Sequence, residues 1–114
     1  MQRFHVGPRL SEFAIFNKTI YLAGQVPEDT SLDIVGQTKD VLAQIDRHLE
    51  EAGSDKSRIL MCQIFITDMQ NMAGMNEALD AWVAPGNSPP RATVQAALAK
   101  PEWLVEIVVT AAQK

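Results

Sequence analysis

The stretch RILMCQIFIT, residues 58–67, does most to determine the fold, because it is apolar on both of its alternating faces. A strand with this pattern is normally covered on both sides. A second stretch of the same kind runs from Trp103 to Ala111 and predicts the last strand. We therefore expect a sheet that needs apolar cover on both faces.

Further strands flank these two stretches. Residues 13–16 and 19–23 are rich in aromatic and β-branched side chains, and Asn17-Lys18 between them predicts a hairpin with a two-residue turn. A short first strand is expected at residues 3–6. Pro89-Pro90 leads into a strand over residues 91–98, which we expect to pair antiparallel with the final strand around Lys100-Pro101.

Two segments have helical periodicity. Apolar positions recur at steps of three and four from Ile34 to Ala52, with Ser31 or Asp33 as the cap and Gly53 just past the end. A second helix should begin at Asp68 or Asn71 and end before Pro85-Gly86. Its apolar stripe is Met72, Met75, Leu79, Trp82 and Val83.

The element order β-β-α-β-α-β-β predicts one α+β domain over residues 1–114, with both helices on one face of a mixed sheet. Two helices cover only one face of such a sheet. The other face is also expected to be apolar, and this predicts an oligomer. The residues expected there are Leu60, Ile64, Leu104 and Val108, or their neighbours.

Composition excludes several classes of protein. The net charge is −4 and the 10 basic residues are scattered, which argues against nucleic-acid binding. No apolar stretch approaches the roughly 20 residues of a membrane span, and the N-terminus lacks the apolar core of a secretory signal. A single cysteine forms no internal disulfide. We expect a soluble cytoplasmic protein.

Glu106 is the first candidate for a chemical role, because its neighbours in the last strand are all apolar. Burying an unpaired carboxylate costs several kcal/mol, so this residue needs water, a partner or a function. Arg91, at the start of the preceding strand, comes near Glu106 if the two strands pair. Arg91 then either neutralises Glu106 as a structural ion pair or binds a substrate carboxylate while Glu106 handles a water or a proton.

Other polar residues give weaker signals. His5 and His48 are expected to lie apart on the surface, so no metal site is predicted. Cys62 is interpreted as an inert buried thiol. Gly24, which follows a strand, could expose backbone groups to a ligand, but a turn explains it equally well. Asn76, beside the second apolar stripe, is interpreted as a cap or a surface amide. No sequence motif for nucleotides, zinc proteases or serine hydrolases occurs.

Six segments in colinear order resemble the Rid family, the YjgF-type reactive intermediate deaminases. They cover nearly the whole chain, and each is short. They are Tyr21–Pro27 (YLAGQVP), Gln37–Gly53 with its EAG end, Phe65–Met69 (FITDM), Met75–Glu77 (MNE), Pro90–Val94 (PRATV) and Val105–Ile107 (VEI).

The resemblance implies a chorismate-mutase-like subunit in a homotrimer, with the sheets forming a central barrel and clefts between subunits. It implies hydrolysis of 2-imino acids, or their enamine tautomers such as 2-aminoacrylate, to 2-keto acids and ammonia without cofactor or metal. The alternative is a non-catalytic trimer that binds a small carboxylate metabolite as a sensor or regulator.

The resemblance also implies roles for individual residues. Arg91 would bind the substrate carboxylate, and the backbone N–H of Thr93 would be a second donor to it. Glu106 would orient and polarise the attacking water and pass protons to the leaving nitrogen. The backbone of Gly24 would hold that water or the imine nitrogen, and Asn76 would line the pocket.

Two positions depart from the family pattern. Arg9 stands near the place where archetypal members have a pocket-closing tyrosine, and Thr93 replaces their cysteine or serine. A second positive charge from Arg9 would favour a dicarboxylic or larger acidic ligand. The stretches Asp80–Gly86 and Lys100–Val109 resemble a divergent subgroup of the family.

Overall fold

The computed structural model, which describes residues 1–114, contains the hairpin predicted around Asn17-Lys18. Strands β2 (Phe13–Phe16) and β3 (Thr19–Leu22) pair antiparallel, and the two turn residues have φ values of 52° and 61°. Positive φ at both positions is typical of the turn whose twist matches that of the strands. The expected first strand is β1 (Gln2–Phe4), which pairs with β2.

The first helix, α1 (Ile34–Glu51), has the predicted ends. The carboxylate of Asp33 accepts a hydrogen bond from the backbone N–H of Gly36 at 2.9 Å, so Asp33 and not Ser31 is the cap. Gly53 has a φ of +81°, the left-handed conformation that follows many helices.

The second helix, α2 (Met72–Trp82), is shorter and begins differently. Asp68 caps a 3₁₀ turn at Met69–Asn71 that leads into the helix, while the side chain of Asn71 makes no capping bond. Its buried stripe includes Met75 and Leu79, as predicted.

The strand order corrects one prediction. The last three strands are β4 (Ile59–Ile66), β5 (Arg91–Gln95) and β6 (Val105–Ala112), and the sheet order is β1-β2-β3-β6-β4-β5. The antiparallel pair predicted between the last two strands is wrong: β5 pairs parallel with β4, and β6 lies between β3 and β4. The crossover through α2 brings the chain back parallel to β4 and leaves β5 at the edge.

The α+β fold with both helices on one face is confirmed. Buried residues of β6 alternate with less buried ones, and Val105, Ile107 and Val109 face the helices. Each fully buried aliphatic side chain contributes about 1.5–3 kcal/mol, so this layer is the main source of stability. Neither helix combines the length and apolar content that a membrane crossing requires.

The opposite sheet face carries exposed apolar residues, and we call it the open face. It includes Val108 and, in place of Ile64, the neighbouring Phe65, because Ile64 is fully buried against the helices. A one-residue bulge at Leu60 changes the alternation within β4. The exposed large apolar residues of the strands are Phe16, Tyr21, Leu60, Met61 and Val94.

Candidate functional site

Arg91 is the first residue of the edge strand β5. It pairs in register with Cys62, whose side chain is buried under the helices, so the Arg91 side chain lies on the helix-bearing face. Its Nη2 donates a hydrogen bond to Oδ1 of Asn76 on α2 at 3.0 Å. No carboxylate lies within ion-pair distance of Arg91. The guanidinium therefore has an amide to orient it and no anion to neutralise it.

Thr93 shares the face of Arg91 and adds a backbone donor. The N–H of Cys62 bonds to the carbonyl of Pro90, and the N–H of Ala96 bonds to the carbonyl of Ile66. In a parallel ladder this alternation directs the N–H groups of even-numbered β5 residues to β4. The N–H of Thr93 consequently points to the unpaired edge of the sheet.

Gly24 and Glu106 form a second group. Tyr21 pairs with Thr110 of β6, and Gln25 pairs with Ile107. The first segment is therefore one residue longer than the β6 segment opposite it, and the resulting bulge places Gly24 beside Glu106. A Cβ on Gly24 would lie 1.9 Å from Oε2 of Glu106, so only glycine leaves room for the carboxylate in this position.

The Glu106 side chain lies on the open face. It is half-buried, and it makes no hydrogen bond to a protein group and no ion pair. The carboxylate is thus held by packing over Gly24 and is free to bind a water or a ligand.

Arg91 and Glu106 do not meet within one chain, which corrects the prediction that they come near each other. Glu106 pairs with Phe65, three residues along β4 from Cys62, the partner of Arg91. Strand geometry then separates the two Cα atoms by about 14 Å, with the side chains on opposite faces. The structural ion pair between them is therefore absent from the single chain.

The remaining predicted site residue, Arg9, is exposed in the connection between β1 and β2 and makes no hydrogen bond or ion pair. It joins neither the Arg91–Asn76–Thr93 group nor the Gly24–Glu106 group within one chain. Its role in a pocket stays a prediction.

A cavity of about 140 Å³ adjoins Arg91. Cys62, Leu79 and Trp82 are among its lining residues, and its volume suits a ligand of only a few heavy atoms. The largest cavity, about 610 Å³, lies around Gln95–Leu98 and Lys100 and contains none of the predicted site residues.

Burial raises the pKa of the Cys62 thiol to about 11, and the nearby Arg91 charge opposes this effect only in part. The thiol is therefore protonated at neutral pH and is a weak nucleophile. This agrees with its interpretation as an inert buried side chain.

Gln37 is a positioning residue that the sequence reasoning missed. It is 1% exposed; its Nε2 donates to the carbonyls of Leu32 and Glu102, and its Oε1 accepts from the N–H of Leu104 at 2.9 Å. These bonds fix the chain two residues before Glu106. The sequence signal for Gln37 is the position of its polar amide among the apolar residues that α1 buries.

The prediction that His5 and His48 lie apart is wrong. Their ring centroids are 6.0 Å apart, because β1 runs beside the C-terminal end of α1. Residues 43 positions apart in the sequence are thus neighbours in the fold.

Comparison with known proteins adds to this geometry. The family model described as "Endoribonuclease L-PSP" matches residues 2–113. A "RutC family protein" of Haemophilus ducreyi is 52% identical over 110 residues, which are 96% of this chain and 94% of that protein. The crystal structure of NMB1025 of Neisseria meningitidis, described as a member of the YjgF protein family, is 50% identical and has a TM-score of 0.97 over 99% of this chain and 94% of that chain. The chain belongs to the YjgF/Rid family.

A more distant structure places the YjgF/Rid fold in wider context. YyfA of Yersinia pestis, described as a protein of unknown function of the conserved Rid protein family, is 32% identical and has a TM-score of 0.86 over 94% of this chain and 90% of that chain. Family and fold are therefore shown by sequence and structure alike.

Proposed function

We propose that this protein hydrolyses short 2-imino acids, or their enamine tautomers such as 2-aminoacrylate, to 2-keto acids and ammonia. The observation that carries this proposal is the pair of free charged groups: Arg91 lacks an anionic partner and Glu106 lacks a cationic one. A cationic and an anionic group without partners in the folded chain are suited to bind a ligand that carries one negative and one positive charge. A 2-imino acid has a carboxylate and a cationic nitrogen on adjacent carbons.

The site is proposed to be completed between copies of the chain in a homotrimer. Arg91 and the free N–H of Thr93 lie at the edge strand β5, and Glu106 lies on the open face. If the open face of a second copy packs against the β5 edge of the first, Glu106 of the second copy comes close to Arg91 and Thr93 of the first. The exposed apolar residues of the open face support such packing, since an uncovered face of this kind favours association.

Arg91 and Thr93 are proposed to bind the substrate carboxylate. The guanidinium offers two parallel N–H donors, and its charge does not titrate in the physiological range. Asn76 accepts from Nη2 and so keeps the guanidinium oriented. The binding energy places the imine carbon at a fixed distance from the Glu106 carboxylate.

Glu106 is proposed to act as the base and then the acid. Its carboxylate takes a proton from water as the water oxygen bonds to the imine carbon, giving a 2-amino-2-hydroxy acid. The proton then passes to nitrogen, the C–N bond breaks with its electron pair on nitrogen, and loss of the hydroxyl proton leaves the keto acid. An enamine first accepts a proton at carbon 3 to become the imine.

The remaining assignments are parts of the same proposal. The backbone at Gly24 holds the water or the imine nitrogen, and Arg9 recognises a second acidic group of a larger ligand. A single buried thiol without a disulfide suits a reducing compartment, so we place the activity in the cytoplasm. Ribonuclease activity is disfavoured by the net charge of −4.

The test is release of 2-keto acid from 2-aminoacrylate generated in situ. We expect wild-type protein to accelerate release over the spontaneous reaction, and Arg91→Ala and Glu106→Gln to lose at least about 100-fold of that acceleration. Arg47→Ala and Glu102→Gln remove the same charges from exposed positions elsewhere, so they should retain wild-type rates.

The outcomes separate this function from the alternative. If wild-type protein does not accelerate the reaction but binds 2-keto acids through Arg91, the protein is a carboxylate-binding regulator. If Glu106→Gln lowers the melting temperature and dissociates the oligomer, Glu106 is structural. If neither substitution affects turnover, the proposed site is refuted.

A further inference from the structure

A cluster of two histidines and two glutamates lies at the end of α1, and we call it the histidine cluster: His5, Glu12, His48 and Glu51. It is beside β1, at the opposite edge of the sheet from Arg91. The residues come from three parts of the chain and play no part in the proposed reaction.

The ligand-type atoms of the histidine cluster are close together. One ring nitrogen of His5, one of His48 and one carboxylate oxygen of Glu51 all lie within 4.8 Å of one another. Nε2 of His5 is 2.8 Å from Oε1 and 3.0 Å from Oε2 of Glu51. His48 and Glu51 are three residues apart on α1, so one helix face presents both.

Surrounding contacts fix the ring positions. His48 packs against Phe13, with ring centroids 5.7 Å apart, and its Nε2 lies 3.4 Å from Oε2 of Glu12. That Glu12 oxygen is held in turn by Nε2 of Gln25 at 3.2 Å. His5, the residue after β1, adopts a φ of 55°. Glu12 therefore lies beside the imidazole of His48, and carboxylates next to ligating histidines are common around metal centres.

We propose that the histidine cluster binds a divalent transition-metal ion, with Zn²⁺ as the best match, through His5, His48 and Glu51. Two imidazole nitrogens and one carboxylate form a known zinc ligand set that leaves a fourth position for water. Tetrahedral zinc requires ligand atoms about 3.4 Å apart. The 2.8 Å between Nε2 of His5 and Oε1 of Glu51 must therefore widen, and any distance above about 3.4 Å must shorten; rotation of these two exposed side chains allows both changes.

Charge and composition support the ligation. The two glutamates bring two negative charges that a divalent cation balances, while neutral imidazoles supply the soft nitrogen donors that distinguish zinc from magnesium. The chain has only two histidines, and both are in the cluster. A bound ion would link β1 to the C-terminal end of α1.

The experiment is zinc titration of the tag-free protein by calorimetry, with thermal unfolding and histidine NMR on the same samples. One Zn²⁺ per chain with a micromolar or lower Kd is expected, and both histidine ring signals should shift. At a free zinc concentration of about 100 Kd the melting temperature should rise by about 10 °C. Mg²⁺ should cause neither effect.

Variants determine whether the cluster is the site. His5→Gln, His48→Gln and Glu51→Gln should each weaken zinc binding at least about 10-fold. Glu50→Gln is the matched control, because this exposed neighbour carries the same charge outside the cluster. If His48→Gln does not fold, the exposed His5 provides the test.

Three results overturn the proposal. They are millimolar or absent zinc binding, binding that survives both histidine substitutions, and equal weakening in Glu50→Gln. Each of them would mean that the cluster only anchors β1 through hydrogen bonds and ring packing. Activity toward imines does not enter this test, so the zinc site and the proposed function fail independently.

Discussion

Replacing Gly24 by alanine tests whether the position of the Glu106 carboxylate matters for catalysis. The new Cβ would lie 1.9 Å from Oε2 of Glu106 and 2.8 Å from its Cδ. Because contacts under 3.0 Å essentially never occur, the oxygen must move by about 1.1 Å or more. Gly24 does not have a left-handed φ, so the alanine backbone is unstrained and the change acts through the carboxylate.

A displacement of about 1 Å in a reacting group costs about 100-fold in rate. We therefore expect Gly24→Ala to lower kcat/KM for imine hydrolysis by about 100-fold. The melting temperature should change little, because Glu106 has room to move toward solvent. Steady-state keto-acid release and thermal unfolding measure the two quantities. Gly7→Ala is the control, since its Cβ would meet only an ordinary contact of 3.4 Å with the Leu10 carbonyl.

A double-substitution cycle identifies the cause. In a Glu106→Gln background, which already lacks the carboxylate proposed to act in catalysis, Gly24→Ala should have almost no further effect. A full 100-fold loss in that background, or wild-type activity in Gly24→Ala alone, would refute the assignment of Glu106 and Gly24 to one site.

Three further predictions concern other groups. Asn76→Ala should raise KM about 10-fold with a smaller effect on kcat, because Arg91 loses the acceptor at 3.0 Å that orients it; steady-state kinetics would detect this, and an unchanged KM would contradict it. Hydrogen bonds from Ser57 lower the pKa of Asp55 to about 2, so its contribution to stability is present above its ordinary value of 3.8 and is lost as the pH falls through about 2. Asp55→Asn should thus lower the melting temperature at pH 7, and a deficit that persists at pH 2 would contradict this cause. Cys62, with its pKa raised to about 11 by burial, should resist alkylation at pH 8 until urea unfolds the chain, and rapid labelling of native protein would show that the thiol is accessible.

Local pattern predicted the elements of this fold well. The hairpin at Asn17-Lys18, the Asp33 cap and the turn at Gly53 depend on backbone preferences of a few neighbouring residues, which the sequence displays directly. Element ends were less well predicted: the strand expected over residues 91–98 is Arg91–Gln95.

The pairing of the last two strands was predicted wrongly, for a physical reason. The pattern of β6 shows that both of its faces are apolar, but not which strands lie beside it. Its insertion between β3 and β4 depends on packing across the whole sheet. The error in pairing caused the error about Arg91 and Glu106, and sequence separation likewise concealed the contact between His5 and His48.

The resemblance singled out Arg91, Asn76 and Thr93, and the structure places these three at one edge of the sheet. It places Gly24 in contact with Glu106. The residues of both groups could be identified from the sequence. That the Arg91 group and the Glu106 group lie on opposite faces of the sheet follows only from the register of β4, β5 and β6, which the sequence does not show.

Subunit complementation tests directly whether each site takes Arg91 from one copy and Glu106 from another, as we propose. Arg91→Ala and Glu106→Gln chains, each inactive alone, are coexpressed so that they assemble at random. In a cyclic trimer about a quarter of the sites then combine an intact Arg91 with an intact Glu106, and the mixture should recover about a quarter of wild-type keto-acid release. Each pure variant and a mixture made after assembly serve as inactive controls. If the coexpressed mixture stays as inactive as its components while wild-type protein is active, the two groups do not act together across subunits and the proposed inter-subunit site is refuted.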